Sequence, residues 1–153
     1  MLGLLLLAQA TVAMPAYSPP KPVADRPRYD PATLSIVIAD TVSQTDPRPL
    51  CARADCTAMF LGTFKDARTL AGPSPGEKFA ARMEMGSPFD RHYRIAMVIA
   101  RKPDGEIEVL TTRGFHYQTH LACFERKDTD PLGWHPEAPG LSYDHGQLCV
   151  SEG

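Results

Sequence analysis

The sequence lacks the features that mark two large classes of protein. No apolar run approaches the roughly 20 residues that a membrane-spanning helix needs, and basic residues are not in excess, because the formal net charge is −2. Proteins that bind nucleic acid usually carry a basic stripe. The composition therefore speaks against an integral membrane protein and makes nucleic acid an unlikely partner, and we expect no membrane span in the mature chain.

Several common enzyme motifs are missing as well. The chain has no HExxH zinc motif, no GxxxxGK[ST] phosphate loop and no CxxC redox pair, each of which brings together the groups that its chemistry requires. The sequence accordingly predicts no catalytic residue and no cofactor. It leaves an enzymatic role open and favours a protein that is not an enzyme.

The N-terminus has the character of an export signal. Residues 2–13 read LGLLLLAQATVA, an uncharged, leucine-rich run that ends in small residues. Ala8-Gln9-Ala10 offers a small-x-small cleavage site, and a second possible cut follows Ala13. A buried N-terminal strand or helix is the alternative interpretation. We predict a signal peptide over residues 1–13, and with it a periplasmic or secreted protein.

A proline-rich segment follows. Residues 14–31 contain six prolines in eighteen positions, and proline removes backbone donors and restricts the residue before it. This composition predicts a linker. The rest of the chain, residues 32–153, is about the size of one domain, so we expect a single folded unit with one core.

The four cysteines, Cys51, Cys56, Cys123 and Cys149, all follow the export signal. An even number of cysteines in an exported chain favours disulfides. Three pairings are possible. We favour Cys51 with Cys56, and Cys123 with Cys149, because the second bridge would tie the Pro- and Gly-rich tail at residues 128–146 to the body of the domain.

Strand-like patterns dominate the folded part. Alternating or β-branched apolar residues predict strands at residues 34–42, 57–70, 78–85, 93–102 and 106–112, and a short strand at 121–124 that pairs with residues 148–150. Gly62 would mark a bend in the second strand. The aromatic residues Phe60, Phe64, Phe79 and Tyr93 fall at strand spacing and are expected in the core. The predicted class is all-β, a small antiparallel barrel of five or six strands with an irregular, disulfide-tied C-terminal tail.

The segments IVIADTV, CTAMFLGTFKDARTLAG, EKFAARMEM and YRIAMVIARKPDGEIEVLTT together resemble a barrel of the oligonucleotide/oligosaccharide-binding (OB) type. The resemblance covers about residues 34–124 and extends to small uncharacterised exported bacterial proteins built this way. It implies ligand binding across the second and third strands. Fold analogy assigns no activity.

Two histidines are the candidate metal ligands. His116 and His120 would share one face of a strand, and Cys123 lies three positions further on. Imidazoles on one face bind zinc or copper when a thiolate or a carboxylate supplies a third ligand. A disulfide at Cys123 would remove that thiolate. The alternative interpretation is a solvent-facing pair of polar residues.

Three functions remain after these exclusions. The leading hypothesis is a non-catalytic domain that binds a protein, peptide or glycan on a β face. The second is a metal-binding protein or metalloenzyme centred on His116 and His120. The third is a small enzyme inhibitor or immunity-type protein, which matches the size and the cysteines but has no residue signature.

Overall fold

The computed structural model describes residues 29–49, 58–85 and 93–153. The predicted signal peptide, residues 14–28 of the predicted linker, Cys51 and Cys56 lie outside the described residues. The strands are β1 (Leu34–Pro49), β2 (Ala58–Ala71), β3 (Phe79–Met85), β4 (Arg94–Arg101), β5 (Ile107–Gly114), β6 (Leu121–Cys123), β7 (Leu141–Asp144) and β8 (Gln147–Ser151). One short α-helix, α1 (Arg126–Thr129), and two 3-10 turns, Pro31–Thr33 and Asp130–Leu132, complete the described elements.

Five strands close into a barrel in the order β1-β2-β3-β5-β4. The predicted all-β class, with a small barrel and a disulfide in the C-terminal region, is confirmed. One pairing departs from the expected antiparallel arrangement, because β3 and β5 are parallel through Arg82 with Glu108 and Met83 with Val109. The reason is geometric: an odd number of strands in a closed ring cannot alternate in direction throughout.

Strand β1 is longer than the sequence pattern predicts. It continues through Pro47 and Pro49, which we expected to end it, and it is strongly bent by register shifts against β2. Proline donates no backbone hydrogen bond and is tolerated where a strand is paired on one side. The pairing of β1 with β4 ends at Asp40 with Arg94, so the described ladder partner of the proline-containing part is β2 alone.

The barrel interior is a core of apolar side chains from all five strands. Its buried members are Val37, Ala39, Phe60, Phe64, Ala81, Met83, Ile95, Met97, Ile99, Ile107 and Val109. Gly62 does not interrupt the β2–β3 register as the predicted bend would. A Cβ atom there would lie 2.9 Å from Met83 Sδ and 3.0 Å from the Phe64 ring, so the glycine makes room for these two side chains.

A second core lies outside the barrel. The strands β6, β8 and β7 form a separate sheet in that order, and its Ala122, Leu148 and Val150 pack with Ile36, Ile38, Ala96 and Val98 on the outer face of β1 and β4. Phe124, fully buried, joins this cluster, and Trp134 packs against it. Both faces of β1 and β4 are therefore covered here, and a strand buried on both faces has a continuous apolar sequence.

The C-terminal tail contains more regular structure than its composition suggests. Strand β7 forms a hairpin with β8, closed by a turn in which His145 and Gly146 have positive φ angles. The predicted pairing of residues 121–124 with residues 148–150 is observed as β6 with β8. Within it, Cys123 and Cys149 form the predicted disulfide, with an S–S distance of 2.02 Å.

Candidate functional site

A continuous depression crosses the outer surface of β1, β2 and β3, beside the start of β4. It consists of two adjoining hollows of about 600 and 420 Å³ that share Val42 and Lys65. We call it the outer groove. Its lining residues are Asp40, Thr41, Val42, Thr63, Phe64, Lys65, Lys78, Phe79, Ala80, Tyr93 and Arg94.

A register shift exposes Val42, an aliphatic residue of the groove. Thr41 pairs with Phe64 and Ser43 pairs with Thr63, so Val42 is an extra residue on β1 with no partner position on β2. A β-bulge of this kind bends the strand and redirects a side chain. The Val42 side chain is left 38% exposed beside the groove.

Tyr93 lies at the other end of the outer groove and is 41% exposed. The expectation that it belongs to the barrel core is wrong, whereas Phe60 and Phe64 are buried as expected. The reason is its position: Tyr93 precedes β4, and the inward-facing residues of that strand begin at Ile95. Its backbone is held against β1 by Thr41, whose amide donates to the Tyr93 carbonyl oxygen at 3.0 Å.

Two phenylalanines support the centre of the groove. Phe64 on β2 and Phe79 on β3 are paired across the strands, and their rings stack with centroids 4.9 Å apart. Phe64 is buried and Phe79 is half-buried. Because the stack joins the groove to the barrel interior, this surface is rigidly supported.

The charges of the groove are mostly positive. Its lining includes Lys65, Lys78 and Arg94, against one carboxylate, Asp40. Arg94 Nη1 donates to Asp40 Oδ1 at 2.8 Å. Lys65 Nζ lies 3.7 Å from Asp66 Oδ2, and both of these side chains are about half exposed. The two lysines flank the Phe64–Phe79 pair on neighbouring chain segments and border the same hollow.

A second cavity, of about 320 Å³, lies where β3 meets β5. Burial raises the pKa of the Tyr29 hydroxyl on its wall, and the nearby Glu108 carboxylate raises that pKa further. Its carboxylates have partners within the protein: Glu108 lies 3.3 Å from Lys102 Nζ, and Asp128 accepts from the Thr111 hydroxyl at 3.4 Å. These pairings give the cavity a structural role between the barrel and the α1 region.

His116 and His120 lie in the turn between β5 and β6, where a strand was expected. The His120 amide donates to the His116 carbonyl oxygen at 2.8 Å, and His120 has a positive φ of 53°. His120 Nδ1 is 3.2 Å from Glu152 Oε2, and His116 Nδ1 accepts from the Gln118 amide at 3.3 Å. Both side chains are exposed.

The third ligand considered for this site is engaged elsewhere, because Cys123 is bonded to Cys149. No group of three or more His, Cys, Asp or Glu side chains that could hold a metal is present among the described residues. Metal binding by His116 and His120 stays a prediction. The pairing of Cys51 with Cys56 also stays one, because those residues lie outside the described part of the chain.

One segment of the sequence matches a serine-hydrolase pattern but does not lie in the structure that such a hydrolase needs. Residues 72–76 read GPSPG and match the GxSxG pattern of serine hydrolases, which requires a strand followed by a sharp turn and a helix. Here the segment connects β2 to β3. The Ser74 hydroxyl accepts from the Gly76 amide at 3.2 Å, as in a simple turn. The segment therefore lacks the strand–turn–helix setting that the hydrolase pattern requires.

Comparisons with protein-family models, with curated proteins and with solved structures gave no match for this chain. In the part of the chain that is described, no helix has the length and apolar character to cross a membrane. The outer groove thus stands as the candidate site on its geometry alone. The sequence pattern did not indicate this site, because the register of β2 with β3 is what brings Lys65 and Lys78 to one hollow.

Proposed function

We propose that this chain is an exported, non-catalytic binding domain on an OB-like barrel, and that it binds a protein, peptide or glycan in the outer groove. The observation that carries the proposal is the exposed apolar surface of Val42 and Tyr93 on either side of a supported hollow. An apolar depression of this kind on a folded domain is typical of a binding site.

The strand arrangement of the barrel also supports the outer groove as the binding site. OB-type barrels have five strands and take their ligands across the second and third of these. Here Thr63 and Phe64 of β2, with Phe79 and Ala80 of β3, line one hollow of the groove. The disulfide between Cys123 and Cys149 agrees with an oxidising compartment, as a periplasmic or secreted protein requires.

Site-specific photo-crosslinking in the producing cell tests whether the partner binds at the outer groove. The photoreactive residue p-benzoylphenylalanine replaces Tyr93 in one variant and Tyr143 in a control, since both tyrosines are 41% exposed. We expect a discrete adduct from position 93 and none from position 143. The adduct should be lost when Val42→Asp is added to the Tyr93 variant.

Equal adducts from both positions, or an adduct that survives Val42→Asp in a variant of unchanged melting temperature, would place binding outside the groove. An inhibitor or immunity-type role is a special case of protein binding. It would give an adduct with an enzyme whose activity falls when this chain is added.

A further inference from the structure

Two pairs of polar side chains at the outer groove are bonded to each other. Ser43 Oγ and Thr63 Oγ1 are 2.7 Å apart, and the Arg94 guanidinium is held by Asp40. A glycan carries many hydroxyl groups, and each one that is buried without a hydrogen-bond partner weakens binding. These four side chains therefore have less hydrogen-bonding capacity to offer a sugar.

Apolar surface is what the groove does leave open. Val42 and Tyr93 are more than a third exposed, and Ala80 is exposed beside the half-buried ring of Phe79. Such a surface suits aliphatic or aromatic side chains of a partner, whose burial releases water.

Two like charges border this apolar surface. Lys65 follows Phe64 and Lys78 precedes its cross-strand partner Phe79, so both lysines border one hollow. Like charges on one hollow repel each other, and solvent screens part of this repulsion because both side chains are exposed. The contact of Lys65 with Asp66, 3.7 Å long and half exposed, compensates little. An anionic group from a partner would offset this repulsion.

We infer that the ligand of the outer groove is an acidic, apolar polypeptide segment, in which carboxylates contact Lys65 and Lys78 and apolar side chains cover Val42 and Tyr93. The inference rests on the proposed function and narrows its ligand class. A nucleic acid presents a phosphate at every nucleotide and is bound through several basic residues, whereas Arg94 in this groove is paired with Asp40 and two lysines remain among its lining residues.

The test is selection of binders from a phage-displayed library of random dodecapeptides against the exported protein, followed by titration of the selected peptides. We expect the selected peptides to combine Asp or Glu with apolar residues. The Lys65→Gln/Lys78→Gln variant should weaken their binding about tenfold, because each exposed ion pair contributes modestly. The Lys102→Gln/Lys127→Gln control changes the net charge equally, away from the groove, and should leave the dissociation constant unchanged.

Two outcomes overturn the inference while the proposed function stands. One is selection of neutral or basic peptides that shift the Val42 and Tyr93 amide resonances in NMR spectra. The other is that no peptide is selected, whereas an alginate oligosaccharide shifts the same resonances. A dT12 oligonucleotide that shifts them would overturn the inference and the proposed function together. If every binding probe shifts only resonances outside the groove, both the inference and the proposed function fail. If none of the probes binds, the inference fails, and the photo-crosslinking result decides the proposed function.

Discussion

Thr41 and Tyr93 are joined by three hydrogen bonds at the point where β4 separates from β1. The Thr41 amide donates to the Tyr93 carbonyl oxygen at 3.0 Å, the Tyr93 amide donates to Thr41 Oγ1 at 3.0 Å, and that hydroxyl donates to the same carbonyl oxygen at 3.3 Å. The hydroxyl takes the place of the backbone carbonyl that a regular antiparallel pair would present. It therefore ends the ladder and holds Tyr93 at the edge of the outer groove.

Replacing Thr41 by valine should destabilise the protein by about 1–2 kcal/mol, because the buried hydroxyl is lost and the Tyr93 amide loses its acceptor. Urea denaturation measures the change in the free energy of unfolding. The control is Thr63→Val, which removes an exposed hydroxyl pair with Ser43 and should cost less than about 0.5 kcal/mol. Equal losses in the two variants would contradict the role given to Thr41.

Gly62→Ala should destabilise the fold by about 1–3 kcal/mol, because the added methyl would press on Met83 Sδ and the Phe64 ring at 2.9 and 3.0 Å. Gly114→Ala is the matched control, since a Cβ there meets no atom within 4 Å. We expect the control to be neutral or slightly stabilising, because alanine restricts the unfolded chain. Thermal or urea unfolding of both variants measures the change in stability, which should be a loss for Gly62→Ala and zero or a small gain for Gly114→Ala.

The disulfide should stabilise the domain by about 3 kcal/mol, because it closes a loop with a sequence separation of 26 residues. The Cys123→Ala/Cys149→Ala variant should lose this amount in urea denaturation under oxidising conditions. Adding a reductant to that variant reports how much the remaining cysteines, Cys51 and Cys56, contribute to the free energy of unfolding. An unchanged unfolding midpoint in the double variant would show that β6 and β8 do not depend on the bridge.

Glu125 should make the protein sensitive to acid. Hydrogen bonds from Lys127, and then from Arg113, lower the pKa of the Glu125 carboxyl below its ordinary value of 4.5. A lowered folded-state pKa means that the carboxylate contributes stability above pH 4.5, and that this contribution disappears as the pH falls through the folded-state pKa.

Melting temperatures of the protein and of Glu125→Gln, measured from pH 7 down to about pH 3, test this. The variant should melt at a lower temperature near neutrality, and the two curves should converge in acid. High salt should narrow the difference at pH 7, because the ion pairs are exposed. A constant difference at every pH would show that the charge of Glu125 is not its cause.

The strand content and the barrel could be predicted because the signals are local. The apolar runs at residues 34–39 and 95–100 are rich in β-branched residues and lie between turn signals, which is typical of buried strands. The favoured pairing of Cys123 with Cys149, which would tie the tail to the body, is confirmed. The parallel pairing of β3 with β5 was missed because it follows from the number of strands in the closed ring, which no single segment encodes.

The candidate site was harder to predict because it depends on the pairing register between strands, which the pattern within one segment does not show. Lys65 and Lys78 are thirteen residues apart in the sequence, and the Phe64–Phe79 pairing brings both to one hollow. Tyr93 was assigned to the core from its spacing, which cannot show where a strand begins. His116 and His120 have the spacing of a strand face, but their segment turns to bring β6 against β8.

The sequence by itself determined that this chain forms strands and where most of them lie, because alternation and β-branching act over short distances. It favoured the pairing of Cys123 with Cys149, which the structure confirms. Only the tertiary structure decided which surface stays open. The apolar faces of β1 and β4 are chemically alike inside and outside the barrel, and the β6-β8-β7 sheet covers one outer face completely. The bulge at Val42 and the separation of β4 from β1 at Tyr93 leave the neighbouring face exposed. Both features depend on how strands that are distant in the sequence align, which no single segment encodes.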